Sequence, residues 1–400
     1  MTTGCKKAIS SSIHRFAKRA VSIAASDELS RKKIVSSYYE ARFRLGNLRR
    51  AVPDHTAEEL LSWKRTMNAK VEYAREVYRG NSFYGAGRAM REYANVSTSL
   101  KACIEHGLYL GSYTNPLELD DSGLPAVVTY GPVRARHIHD SSGTPILTVG
   151  PYIAYAESYL SEVQMMRAKR MLGRTLLAFP SHSIDYVEKR FDTPSYIEHL
   201  KARAKDEDMD TVLVSLYFTD ILSGAAELYE RVGFKVVTNG YREDSNFLCR
   251  LRSLILLADG TSSNSMGTHI GYCAYFGKAH HVFRQELVAA GATKLDDECI
   301  VATNFSANGV EEGREITEAF AVPSSEITDQ QLGVCDKYWG FGCVKSREEL
   351  ARYFDLLERA SAQGGHRLSC ATAESLEAMT LSSLDHHKSS ANSISKGFVS

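Results

Sequence analysis

The sequence predicts an α/β protein of two packed domains behind a helical extension. Three observations carry this. From about residue 173, short continuous apolar runs alternate with helical stretches, the pattern of parallel strands buried on both faces. Residues 27–100 instead repeat apolar side chains every three or four positions, as in Ile34, Tyr38, Tyr39, Phe43 and Leu45. The length of 400 residues, with 44% hydrophobic and 24% charged side chains, suits an ordinary globular chain with two cores.

Taken in order, the first 26 residues hold no acid and carry Lys6, Lys7, Arg15, Lys18 and Arg19 beside Ile9, Ile13, Phe16, Ala20 and Ile23 at helical spacing. Such a basic amphipathic segment fits a membrane surface, an organellar transit peptide or a frayed terminal helix equally. Residues 1–100 contain 19 Lys and Arg against 9 Asp and Glu, a surplus that attracts acidic glycans, anionic lipid or nucleic acid, or merely solvates a helical surface. Residues 27–100 read as helix almost throughout, broken at Ala51–Asp54, where Pro53 ends one helix and Asp54 or Thr56 caps the next.

Lys101–Tyr109, Pro125–Tyr130 and Pro145–Val149 read as strands, each ending in a polar or glycine-rich turn. The second lobe adds strands at Arg174–Phe179, Thr211–Leu216, Phe234–Thr238 and His280–Phe283, with a short strand or bend at Gly260–Ser263. Helices are expected at Ser195–Lys205, before Gly233, after Asp244 or Ser245, and from Met266 to Phe276. An amphipathic helix near Arg347–Ala360 is placed to return to the first lobe, and the Ser- and His-rich residues 361–400 are expected to lack order. No run approaches the roughly 20 apolar residues of a membrane span. The eight cysteines are scattered without a CxxC pair, which points to a reducing compartment rather than zinc or disulfides.

The chemistry is expected at strand ends, where open parallel sheets gather ligands. In Thr261–Gly271, TSSNSMGTHIG, the run Ser262, Ser263, Asn264, Ser265 precedes a helix start, with Ser265 as its N-cap. The unpaired N–H groups there, with the hydroxyls and Thr268 and His269, form an anion corner. Gly267, Gly271 and Ala274 form a small-residue stripe that lets this helix approach the sheet. Ser181-His182-Ser183 follows the first strand of the same lobe, so His182 can donate to a phosphate or protonate a leaving group. Asn239-Gly240-Tyr241-Arg242 follows the third strand, and Arg242 is either a phosphate or base contact or part of a plain turn. A GxGxxG after the first strand, a Walker loop, GxSxG and HExxH are missing, which disfavours dinucleotides and ATP. Asp208-Met209-Asp210 precedes a strand and reads as a loop, so no metal ligands are assigned.

The order of these features resembles the donor half of GT-B-fold bacterial surface-polysaccharide glycosyltransferases. Leu257–Val282, LADGTSSNSMGTHIGYCAYFGKAHHV, carries the likeness most closely, with Ala279 after Lys278 where such proteins often have Pro. Sialyl- and Kdo-type transferases that use CMP-sugars are similar in pairing a His-Pro with a Ser-Ser motif. Here His182 is followed by Ser183. The likeness covers roughly residues 100–285.

The resemblance implies two Rossmann-like domains in a GT-B arrangement. These are an acceptor domain over 101–172 and a nucleotide-sugar domain over 173–315, with the basic helical extension 1–100 before them and a returning helix in 316–360. It implies a metal-independent transferase with no cofactor, moving a sugar from a nucleotide sugar to a glycan or lipid-linked acceptor. The donor would lie on Ser181, Ser183, Asn239, Arg242, Ser263, Asn264, Ser265, Gly267, Thr268 and His269, assisted by His182. Glu105 or His106, at a strand end of the first lobe, would take the acceptor proton. Asp120-Asp121 competes for that role. The partners would include an anionic membrane at the basic helices and no nucleic acid, in a cytoplasmic protein peripheral to the inner face. A nucleotide-sugar epimerase or hydrolase, or a non-catalytic glycan- or membrane-binding protein, would share the same features.

Overall fold

The computed structural model describes residues 55–69, 71–73, 76–114, 124–183, 188–290, 311–363 and 368–385, with positions 34, 38, 41 and 45. The N-terminal amphipathic segment, the Ala51–Asp54 break and Asp120-Asp121 lie outside these. The fold is α/β with parallel sheets. In the first lobe β1 (Cys103–Ile104), β2 (Val127–Thr129) and β3 (Ile146–Thr148) form a three-stranded parallel sheet in that order. The helix Pro132–Ser142 links β2 to β3; Pro132 sits in its first turn, and Gly143 at φ 63° closes it.

The second lobe contains β4 (Thr175–Phe179), β5 (Glu188–Arg190), β6 (Thr211–Ser215), β7 (Lys235–Val237), β8 (Gly260–Ser263), β9 (His280–Val282) and β10 (Val288–Ala290). Its main sheet is five-stranded and parallel in the order β7-β6-β4-β8-β9, and β5 pairs separately with β10, antiparallel. Alternating side chains of one strand enter two different cores, because successive residues point to opposite faces. Leu176 and Ala178 join the core of the helix Thr193–Asp206. Leu177 and Phe179 join the larger core of the helix Phe247–Leu257. That larger core continues without interruption into the first lobe through Tyr152, Ile153 and Met90.

Each of the eight strands expected from apolar runs is present, β8 over its full expected length and the others shortened. The β5–β10 pair was not legible, since Glu188–Arg190 is wholly charged and the apolar Val288–Ala290 falls after the regular alternation of strands and helices weakens. The front segment departs from the expected long helices. Positions 34, 38, 41 and 45 are helical, as expected, but from residue 55 the described part consists of short helices at Ala57–Leu60, Trp63–Asn68 and Ala86–Ala94, with a 3-10 stretch at Arg79–Gly85. The cause is visible at Tyr84 and Gly85, both at positive φ (58° and 77°). A Cβ at Gly85 would overlap the carbonyl of Ser245, so the chain turns where two backbones touch.

The C-terminal helices clamp the lobes. The helix Asp329–Trp339 packs on both His269–Tyr275 and Pro132–Ser142, and Arg347–Gln363 packs on Ala86–Ala94. The segment expected to lack order contains, within its described part, the helix Cys370–Leu384 lying against β3. There Thr380 Oγ1 and Ser383 Oγ accept from the amides of Ile146 (3.1 Å) and Thr148 (3.0 Å). Its hydroxyls satisfy the open edge of the first sheet, a role that apolar periodicity does not reveal. Among the described residues no helix is long and apolar enough to cross a membrane.

Candidate functional site

In the five-stranded sheet the chain runs outward from β4 in one direction, then returns to β4's other side with β8. The crevice at the carboxyl ends of β4 and β8 is therefore the switch point where open sheets bind ligands. A cleft of about 1110 Å³, counted to its open mouth, lies there, walled by both lobes. Tyr84, His106 and Tyr152 face it from the first lobe; His182, Lys189 and His269 face it from the second. The lobes touch at its floor, where the amide of Leu108 donates to Thr268 Oγ1 at 3.1 Å.

The loops after β4 and β8 are locked together. The amide of Ser181 donates to Asn264 Oδ1 at 2.6 Å, and Ser265 Oγ donates to Ser181 Oγ at 3.2 Å. Asn264 Nδ2 donates onward to Gln285 Oε1 at 3.0 Å. Ser263 is fully buried; its hydroxyl donates to the carbonyl of Ser265 (2.8 Å) and contacts His280 Nε2 (3.0 Å). Ser263 and Asn264 thus shape the loop rather than line the cleft. Ser265, Gly267, Thr268 and His269 do line it.

The expected helix start needs correction. The helix spans His269–Tyr275, three residues later than predicted, and Thr268 precedes it without a side-chain cap. Ser265 is therefore not its N-cap. A seven-residue helix adds little dipole, so the corner's capacity for an anion rests on side chains instead. The small-residue stripe also has a different purpose. A Cβ on Gly271 would fall inside the ring of Trp339, whose Nε1 donates to the carbonyl of Thr268 at 3.1 Å. Gly271 makes room for a C-terminal helix, not for the sheet.

His182 is exposed to the cleft, and its ring tilts against Tyr217 at 4.6 Å between centroids. Desolvation by the cleft wall, then the Lys189 ammonium, lower its pKa and keep the imidazole neutral near neutral pH. Ser183 is a fastener. Its amide donates to Asp220 Oδ1 at 3.2 Å, and its hydroxyl accepts from the amide of Lys189 at 3.1 Å. This holds β5 over the site and brings in Lys189, which sequence reasoning missed. Burial lowers the Lys189 pKa to about 8, although Asp220 opposes the shift. His269 stacks on Phe179 (4.7 Å, 17°), its Nε2 has no hydrogen-bond partner, and burial and then His182 lower its pKa to about 3.

Beside Ser183, Ser263 and Asn264, two further expected residues, Glu105 and Arg242, do not line the cleft. Glu105 is 2% exposed and held by Arg134, with Nη2 at 2.6 Å and Nε at 2.8 Å from Oε1, while Thr129 Oγ1 donates to Oε2 at 2.8 Å. Its oxygens are taken up by Arg134 and Thr129, whereas the neighbouring His106 lines the cleft edge-on to Phe83. Arg242 stacks over Phe83 at 4.4 Å and pairs with Glu243 at 3.3 Å, away from the cleft lining. Asn239 does line the cleft. No protein-family model matches this chain, and no curated protein matches it.

Proposed function

We propose that this chain is a glycosyltransferase of the GT-B type that takes a nucleotide sugar into the cleft between its two lobes. One observation carries the reading. The switch-point loops Ser181–His182 and Ser265–His269 form one wall, and His106–Gly107, from the end of a second parallel sheet, form the other. A donor held by one lobe would then face an acceptor held by the other.

In this reading the donor phosphates lie beside His182, Lys189 and Ser265. The Lys189 ammonium balances their charge, and the His182 imidazole, held by its Nδ1–H on the carbonyl of Ser183 at 3.2 Å, stands beside them. Fixed donors of this kind, in a partly dry cleft, stabilise charge as it develops on the leaving group. The acceptor hydroxyl oxygen attacks the anomeric carbon, and the bond from that carbon to the phosphate oxygen breaks with its electron pair on the phosphate. The acceptor proton passes to the His106 imidazole. A glycan or lipid-linked acceptor would enter from the first lobe.

Calorimetric titration with UDP, GDP, CMP and CDP tests the donor half. Binding of at least one is expected, with an affinity at least about tenfold weaker in Lys189→Met through loss of a charge-assisted contact. Failure of all four to bind the wild-type chain would sink the reading. Turnover of the donor without any acceptor would instead assign a hydrolase or epimerase to the same cleft.

A further inference from the structure

The cleft does not stop at the switch point. It continues along the carboxyl edge of the sheet past Ser215–Tyr217, at the end of β6, to Asn239, just beyond β7. With strands about 4.8 Å apart, Asn239 lies roughly 10 Å from the β4 loop and roughly 14 Å from the β8 loop along that edge. An elongated ligand with its anionic centre beside His182 would place one end at Asn239.

That end is built differently from the rest. Asn239 is 8% exposed, and its Oδ1 is buried without a hydrogen-bond partner although the residue lines the cleft. A buried carbonyl oxygen left unpaired is destabilising, so a ligand that donates to it recovers that penalty. The turn that carries it is rigid. Arg250 Nη1 donates to the carbonyl of Asn239 (3.2 Å) and to Asp244 Oδ2 (2.7 Å), and Gly240 takes φ 85°, where a Cβ would press on that guanidinium. Fixing the turn also fixes the amide. Around it stand aromatic rings: Tyr217 against Phe218 at 4.6 Å, Phe218 against Tyr241 at 5.3 Å, and Tyr84 against Phe247 at 4.8 Å. Of these, Tyr217, Tyr84 and Phe247 line the cleft.

We propose that the β6–β7 end of the cleft is a nucleobase subsite, in which Asn239 Oδ1 accepts an N–H from the base and Tyr217 offers a ring face. This rests on the nucleotide reading of the cleft and adds its orientation: base at β7, phosphates at β4, sugar toward β8 and His106. A flat heteroaromatic ring fits between aromatic walls, and an N–H on its edge supplies the missing donor.

The test is calorimetric titration of the full chain with UDP, CDP, GDP and ADP, and with inorganic pyrophosphate, which has no base. Asn239→Ala and Tyr217→Leu are compared with wild type, with melting curves to show that both remain folded. Asn239→Ala is expected to weaken the preferred nucleoside diphosphate about tenfold to hundredfold, the range for leaving one buried hydrogen-bond donor unpaired, and to flatten the preference among the four. Tyr217→Leu is expected to weaken all four. Pyrophosphate affinity should stay within about twofold in Asn239→Ala, since Asn239 lies at the far end of the cleft from the phosphates; Tyr217, whose ring packs on His182, carries no such expectation. Nucleotide binding by wild type with an unchanged nucleotide profile in Asn239→Ala overturns the base subsite and leaves the nucleotide reading standing. Equal losses for pyrophosphate and nucleotides overturn it as well, by placing Asn239 at the phosphates. If wild type binds none of the four, both proposals fall. Should Asn239→Ala not fold, Asn239→Ser removes the same acceptor position with less loss of packing, and the same outcomes decide.

Discussion

Glu105→Gln is expected to destabilise the protein far more than a surface carboxylate would, and to do so before it affects chemistry. Glu105 and Arg134 are each 2% exposed, and the pair is joined at 2.6, 2.8 and 3.0 Å. Neutralising the carboxylate leaves a buried guanidinium whose remaining named partner is the carbonyl of Gly111 at 3.1 Å. Breaking such a pair from one side costs about 3–5 kcal/mol. That is a large fraction of the roughly 5–15 kcal/mol that holds a domain folded.

Urea unfolding followed by tryptophan fluorescence is a suitable assay. Trp339 is fully buried, and the backbone of Gly340 beside it packs on Gly131, at the start of the helix that carries Arg134. With a urea dependence of about 1–3 kcal/mol per molar, the midpoint should fall by more than about 1 M. The double variant Glu105→Gln/Arg134→Met should regain most of this, because removing both charges leaves none stranded. A single variant with a wild-type midpoint and abolished turnover would refute the argument and return Glu105 to the general-base role.

Two further outcomes follow from the cleft and its clamp. The Lys189 pKa is lowered to about 8, so its ammonium is present below that pH and lost above it. Affinity for an anionic donor should therefore decline as pH rises through about 8, and Lys189→Met should remove this decline, which titrations between pH 6.5 and 9.5 can follow. Gly271→Ala should destabilise by about 1–3 kcal/mol, the usual cost of overpacking, since the added methyl overlaps Trp339. The same variant should weaken ligand binding, because Trp339 holds the carbonyl of Thr268 in the cleft wall. Wild-type melting and affinity in Gly271→Ala would contradict that coupling.

Much of the framework was legible because it rests on local, periodic chemistry. Leu176-Leu177-Ala178 and Val212-Leu213-Val214 are continuous apolar runs, and such runs become buried parallel strands whatever surrounds them. His182 and Ser265 to His269 could be placed at strand ends for the same reason. Asn264 and Ser263 looked equivalent to Ser265 in sequence, yet they point into the loop's own hydrogen bonds, and only the mutual approach of two loops decides which hydroxyl remains for a ligand.

What the sequence by itself determined was the alternation of strands and helices, and hence which turns share one edge of a sheet, because backbone pairing and apolar periodicity act over a few residues. Tertiary structure alone decided which titratable groups meet. Glu105 became an ion-pair partner because Arg134 lies over it, and Lys189 entered the cleft because β5 is held there by Ser183 and β10. The short helix at His269 owes its position to Trp339 arriving from the C-terminal helices. These contacts join residues far apart in the chain, and their energies depend on burial and on the angle of approach, neither of which is encoded in local spacing.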